Sequence, residues 1–154
     1  YGGQAAAAIR LLKYGGRSHL ARPLASLLRP LVPHLQPVDL VLPVPLHPAR
    51  ARHRGYNQAA LLARHLVRGQ GLTVSYGSLR RHRDTPVQAS LDREHRLQNL
   101  RGAFSAAPAR VRGARLLLVD DVMTTGATAV ACSETLLEAG AREVKVLCLA
   151  RVVG

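Results

Sequence analysis

The chain has no tryptophan, one phenylalanine and four tyrosines, so aromatic residues make up 3% of its 154 positions. That scarcity weighs against the stacking platforms on which sequence-independent single-strand binders usually lay bases. Tyr56 and Tyr76 are the candidate stackers that remain. Cysteine is as scarce. Cys132 and Cys148 stand apart, with no CxxC and no histidine at ligand spacing, and read as small core residues in a reducing cytoplasm rather than as a disulfide or a metal site. No apolar run reaches the roughly 18 residues of a membrane span. No basic stretch followed by an apolar one marks a secretory leader. Neither membrane insertion nor export is expected, and a cytoplasmic location is. The first residue is Tyr1 rather than methionine, which reads as a start inside a longer natural chain.

Negative charge is the last scarcity. Nine acidic residues face 22 basic ones, for a net charge of +13, and all the basic residues except Lys13 and Lys145 are arginine. Such a chain suits a polyanionic or phosphorylated partner. Its 47% apolar content is enough to bury one core without disulfides. Apolar residues at helical spacing predict helices over 4–13 and 18–33, then 57–68 with Asn57 as its cap, a short one over 92–100, and one over 127–139 closed by Gly140. Continuous apolar or β-branched runs predict strands over 38–45, 73–79, 115–121 and 143–150. The alternation predicts an α/β domain with a mainly parallel sheet of about five strands flanked by helices. An N-terminal helical segment, residues 1–36, is expected to pack on a core formed by residues 37–154 as one compact domain.

One stretch carries chemistry. LLLVDDVMTTGAT, residues 116–128, runs from buriable side chains into Asp120 and Asp121, then through Thr124, Thr125, Gly126, Ala127 and Thr128 into a helix. Successive backbone N–H groups, the positive helix end and three hydroxyls make that turn a nest for a phosphate. The carboxylates cannot bind phosphate, but they accept hydrogen bonds from vicinal hydroxyls or hold a hydrated Mg²⁺. A ribose 5-phosphate presents both chemistries within a few ångströms. The plain alternative is an ordinary strand-turn-helix in which Asp121 and Thr124 are cap residues. GxxxxGK[ST] and a GxGxxG after a strand are both missing, and no lysine is near the turn in sequence, so P-loop and dinucleotide readings fail.

Two segments concentrate the positive charge. PVPLHPARARHRGYNQA, residues 43–59, puts Arg50, Arg52 and Arg54 at every second position beside His47 and His53. If the segment is extended, the three guanidiniums share one face and suit a pyrophosphate or successive nucleic-acid phosphates. RRHRDTPVQASLDREHRLQNLRGAF, residues 80–104, adds Arg81, Arg83 and Arg96 in a long loop able to close over a ligand. A solvated basic surface is the bland reading of both segments.

LLLVDDVMTTGAT resembles the phosphoribosyl pyrophosphate (PRPP) motif of type I phosphoribosyltransferases. With KYGGRSHLARPLASLL, PVPLHPARARHRGYNQAALLA, the R-x-R-x-T-x-x-Q spacing at Arg81, Arg83, Thr85 and Gln88, and R-x-x-N-x-x-GAF at Arg96, Asn99 and 102–104, the chain resembles the ComF family over nearly its whole length. The resemblance implies a type I phosphoribosyltransferase fold. It places Asp120 and Asp121 on ribose hydroxyls and, through water, on Mg²⁺, with Thr124, Thr125, Gly126, Ala127 and Thr128 on the 5-phosphate. It leaves Arg50, Arg52, Arg54, Arg81, Arg83 and Arg96 for pyrophosphate or DNA phosphate. ComF-type proteins are associated with natural transformation, which implies single-stranded DNA and other DNA-uptake or recombination proteins as partners. It also implies a homodimer, the habit of the family's enzymes. Transfer from PRPP to an unidentified acceptor is the alternative activity. Family members usually begin with a four-cysteine zinc ribbon, which this sequence lacks, so no zinc is expected.

Overall fold

The structure is a computed structural model that describes residues 3–85 and 93–152. In chain order it forms α1 (Gly3–Tyr14), α2 (Ala21–Leu28), β1 (Leu40–Pro43), α3 (Pro48–Arg54), α4 (Gln58–Leu66), β2 (Leu79–Arg81), α5 (Arg93–Leu100), β3 (Phe104–Ala106), α6 (Pro108–Val111), β4 (Arg115–Met123), α7 (Ala127–Glu138) and β5 (Glu143–Arg151).

Leu116, Leu117, Leu118 and Val119 are each at most 1% exposed, so β4 is buried on both faces and takes the centre of a parallel sheet ordered β1-β4-β5. A strand's side chains alternate between faces, and each face has its own core. Leu116 and Leu118 pack with Leu42, Phe104, Cys132 and Leu136 on the α7 side. Leu117 and Val119 pack with Leu12, Leu24, Leu28, Leu62 and Leu66 from α1, α2 and α4. The N-terminal helices therefore share a core with the sheet. Full burial of a side chain such as Leu12 is worth about 1.5–3 kcal/mol, which keeps the end of α1 against the sheet and close to the strand ends.

The five strands among the described residues divide into two sheets, because β2 and β3 pair antiparallel and apart from the parallel three. The run 73–79, expected as a strand, pairs with β1 through a single Val41–Val74 bridge. Gly77, at φ 76°, then turns the chain away before β2 begins. The helix expected over 18–33 breaks after Leu28 into a 3-10 turn, Arg29–Leu35. Pro30 and Pro33 explain the break, since neither has an N–H to continue α-helical pairing. Asn57 caps α4 as expected, accepting from the N–H groups of Ala59 and Ala60 while donating to the Val44 carbonyl.

Candidate functional site

The acidic pair belongs to β4, as the strand expected over 115–121 has it, and the strand continues past it to Met123, since Asp120 pairs in register with Cys148 and Val122 with Ala150. Alternation therefore sends the two carboxylates to opposite faces. Asp120 lies on the side of Cys132, whose thiol is pushed up by burial and by the Asp120 charge. Asp121, 2% exposed, lies on the side of α1, where Lys13 Nζ stands 3.2 Å from its Oδ2. Asp120 Oδ1 accepts from the Asp121 N–H and Asp121 Oδ1 from the Val122 N–H, both at 2.8 Å. Burial first, and the Asp121 charge second, push the Asp120 carboxyl up to about 7. Burial disfavours its charged form, and Lys13 is closer to its neighbour than to it.

Past Met123 the chain turns through Thr124 and Thr125 to Gly126, whose φ of 80° is the left-handed conformation that glycine adopts without strain. That turn aims the start of α7 at the ends of β1 and β4. No side chain caps α7 at Gly126 and its first turn holds no acidic residue, so the N–H groups and positive helix end face the pocket uncompensated by carboxylate. Thr125 Oγ1 accepts from the Ala127 N–H at 3.4 Å.

A cavity of about 380 Å³ joins these parts. Asp120, Asp121 and all of Thr124, Thr125, Gly126, Ala127 and Thr128 line it, together with Lys13, Tyr14, Arg50, Arg54 and Arg81. Not every arginine is brought there. Residues 48–54 form a helix rather than an extended loop, started by Pro48 at its first position and by His47, whose Nδ1 accepts from the Ala49 N–H. Helical neighbours are three and four residues apart, so Arg50 and Arg54 share a face and Arg52, exposed, lies off it. Arg83 is also exposed and donates to the Arg101 carbonyl. The side chain of Arg96 and all of Gln88 lie outside the described residues.

The pocket arginines are held by neighbours. Arg50 pairs with Asp84 at 2.6 Å and donates to the Thr85 carbonyl at 2.8 Å. Arg81 donates to Thr85 Oγ1 at 2.6 Å and stacks over Phe104 at 5.5 Å. Burial first, and the Arg50 charge second, lower the Arg81 guanidinium from its ordinary value. These are the signs of positive groups crowded together, which an anion would relieve. Arg54 donates to Gln58 Oε1 and lies 5.3 Å over the Tyr14 ring.

Lys13 and Tyr14 are the site residues that sequence spacing does not signal. They arrive on the last turn of α1, which is tied down at Leu12, whose carbonyl accepts from the Tyr56 hydroxyl. That bond occupies one of the two tyrosines considered for stacking. For a divalent cation, the fit rests on the acidic pair. No group of three or more His, Cys, Asp or Glu converges among the described residues, so the cation would draw its other ligands from water and from phosphate, as Mg²⁺ ordinarily does. Asp120, half-buried and without a cationic partner of its own, suits that role.

Residues 52–152 match the family described as phosphoribosyl transferase domain. The chain is similar to the DNA utilization protein YhgH of Escherichia coli O157:H7, with 36% identity over 151 residues that cover 94% of this chain and 66% of that protein. Competence protein F of Haemophilus influenzae is 39% identical over 115 residues, covering 73% of this chain and 50% of its own. The chain thus spans no more than 66% of the length of these curated relatives. Among solved structures, the glutamine PRPP amidotransferase of B. subtilis complexed with ADP and GMP superimposes with a TM-score of 0.53 at 24% identity, over 87% of this chain and 26% of that one. That likeness is one of fold.

Proposed function

The chain belongs to the ComF family of phosphoribosyl transferase domain proteins, and on that premise we propose that its pocket binds a ribose 5-phosphate of the PRPP type with Mg²⁺. The protein that carries it would serve DNA utilization or natural transformation by handling single strands in the cytoplasm. The observation that carries the pocket reading is one cavity holding both an uncapped helix start at Thr124–Thr128 and the carboxylates of Asp120 and Asp121, with Arg50, Arg54 and Arg81 on its wall. The N–H nest takes the 5-phosphate, Asp120 accepts from ribose hydroxyls, and the arginines exchange Asp84 and Thr85 for pyrophosphate oxygens. Mg²⁺ would rest on Asp120, beside the Asp121 that Lys13 already neutralises, and, when bound, would supply charge that screens the ligand phosphates from the acids.

Lys13 balances the Asp121 charge without a metal, so the acids are not both left to repel the ligand. DNA phosphates have less claim on the pocket arginines than the sequence suggests, since Arg50, Arg54 and Arg81 are drawn inward. The relatives' names for DNA utilization and competence support the ComF-like role. A second reading, transfer to an acceptor, is favoured by the rest of the cavity wall, where Tyr14, Asn99 and Leu100 line space beyond the PRPP motif.

Isothermal titration tests the pocket. PRPP with Mg²⁺ should bind the wild-type chain, and Asp120→Asn with Asp121→Asn should lose that binding. A wild-type chain that gives no heat, or a double variant that binds equally well, would overturn the reading. Pyrophosphate release in the presence of nucleobase acceptors separates turnover from binding.

A further inference from the structure

The outer face of the β2–β3 pair holds a second cavity that the phosphoribosyl site does not use. Alternation sorts the two strands cleanly. Leu79 and Phe104 are buried and Arg81 turns to the main pocket, while Arg80 and Ser105, directly opposite each other in the register, are exposed on the other face. A cleft of about 250 Å³ opens there, lined by Gly77, Arg80, Ser105, Ala106, Ala107 and Arg110.

Three features give it a chemical character. Arg80 and Arg110 are both exposed guanidiniums, and no described acidic side chain pairs with either. Ser105 supplies a hydroxyl, shared with His82 Nε2 on the same face. At the rim, Gly77 at φ 76° leaves the backbone without a Cβ, and the residue before it, Tyr76, is 52% exposed. Arg110 Nη1 donates to the Tyr76 backbone carbonyl at 3.3 Å, which ties the arginine to the chain just before Gly77. Two guanidiniums and a hydroxyl lining one small cleft, with an exposed tyrosine next in sequence to its lining residue Gly77, are the elements from which single-strand sites are built, one set for the backbone and one for a base. Arginine's fork suits phosphate oxygens in particular.

We propose that this cleft is a single-stranded nucleic acid site, in which a phosphodiester lies between Arg80 and Arg110 and a base stacks on Tyr76. The inference rests on the DNA reading above but not on the phosphoribosyl pocket, and it places the strand on the opposite face of β2–β3 from Arg81.

The test is anisotropy of a labelled oligothymidine titrated with the wild-type chain and its variants across a series of salt concentrations. Each phosphate contact on a single strand contributes about 0.7 to the slope of log affinity against log salt. Arg80→Ala with Arg110→Ala removes the contact to that one phosphate and should therefore flatten the slope by about 0.7, so that the wild type loses about 2.6-fold more affinity than the variant between roughly 50 and 200 mM salt. Tyr76→Ala should weaken binding by about 5- to 150-fold, the worth of one stacked base, and Tyr76→Phe should retain it. Arg64→Ala with Arg142→Ala removes the same charge from exposed positions outside the cleft and should change the slope by less.

A control pair that flattens the slope as much, a Tyr76→Ala that binds like wild type, or a wild-type chain that binds no strand would each overturn the site. Thymidine monophosphate that competes as well as the oligonucleotide would assign the cleft to free nucleotides and overturn the strand. PRPP titration of the same samples keeps the two readings apart, because loss of PRPP binding with the salt slopes as expected contradicts the pocket and supports the cleft.

Discussion

Asp120→Asn should stabilise the ligand-free protein, and the gain should depend on pH. Burial and the adjacent Asp121 hold the Asp120 carboxyl at about 7, against an ordinary value of 3.8. Between these values the folded chain binds a proton that the unfolded chain has released, so stability falls as pH rises. The contribution is fully present below the unfolded value and is lost as pH passes the folded one. At about 1.36 kcal/mol per unit, a shift of roughly three units sets a ceiling near 4 kcal/mol above pH 7. Relaxation and entry of water lower it, and about 2 kcal/mol is the expected gain, or about 4–8 °C for a chain of this size. Asparagine keeps the acceptor for the Asp121 N–H, so the substitution removes charge and little else. Urea unfolding followed by circular dichroism should give a gain of about 2 kcal/mol at pH 8 and no more than about 0.5 kcal/mol at pH 4. A gain equal at both pH values, or a loss at pH 8, would refute the reasoning. The variant should also lose PRPP affinity, so stability would rise as binding falls.

Lys13→Met leaves the Asp121 carboxylate buried without its ammonium. Removing one partner of a buried pair costs about 3–5 kcal/mol, and since the Lys13 side chain is 22% exposed, about 2 kcal/mol is expected at pH 8, read as a drop in thermal midpoint. Gly126→Ala should cost about 1–2 kcal/mol through the left-handed backbone alone, because the added Cβ meets nothing nearer than Met123 Sδ at 3.7 Å; phosphate affinity should fall at least about tenfold with the reshaped turn. Asn57→Ala should cost about 1–2 kcal/mol in urea unfolding, since it removes the α4 cap and the bond that ties the helix to the end of β1, and Asn57→Ser should recover part of it.

The strand, turn and helix that build the pocket floor were legible because they are local. Four apolar residues, two acids and Gly126 specify β4, its end and the start of α7 within 13 positions, and the helix cap at Asn57 follows from its own neighbours. What depends on distant packing was not legible. Lys13 is far from Asp121 in sequence and reaches it only because Leu12, Leu24 and Leu28 pack against the same core as Leu117 and Val119. Nor did adjacency of the two acids mean a shared direction, since the strand continues through them and sends them to opposite faces. The alternating arginines of residues 50–54 suggested an extended segment, but Pro48 and His47 start a helix there and a period of 3.6 keeps Arg50 and Arg54 together while excluding Arg52. The cleft beside Tyr76 was invisible for a similar reason. It needs β2 and β3, over 20 positions apart in sequence, to pair so that Arg80 meets Ser105.

The most direct measurement is a crystal structure of the chain grown with PRPP and Mg²⁺. The 5-phosphate should lie on the backbone N–H groups of Thr125–Thr128 and the ribose hydroxyls on Asp120, with Arg50 or Arg81 released from Asp84 or Thr85 onto pyrophosphate oxygens. Density for the ligand away from the Thr124–Thr128 turn, or an empty pocket at saturating PRPP with Lys13 still on Asp121, would contradict that placement.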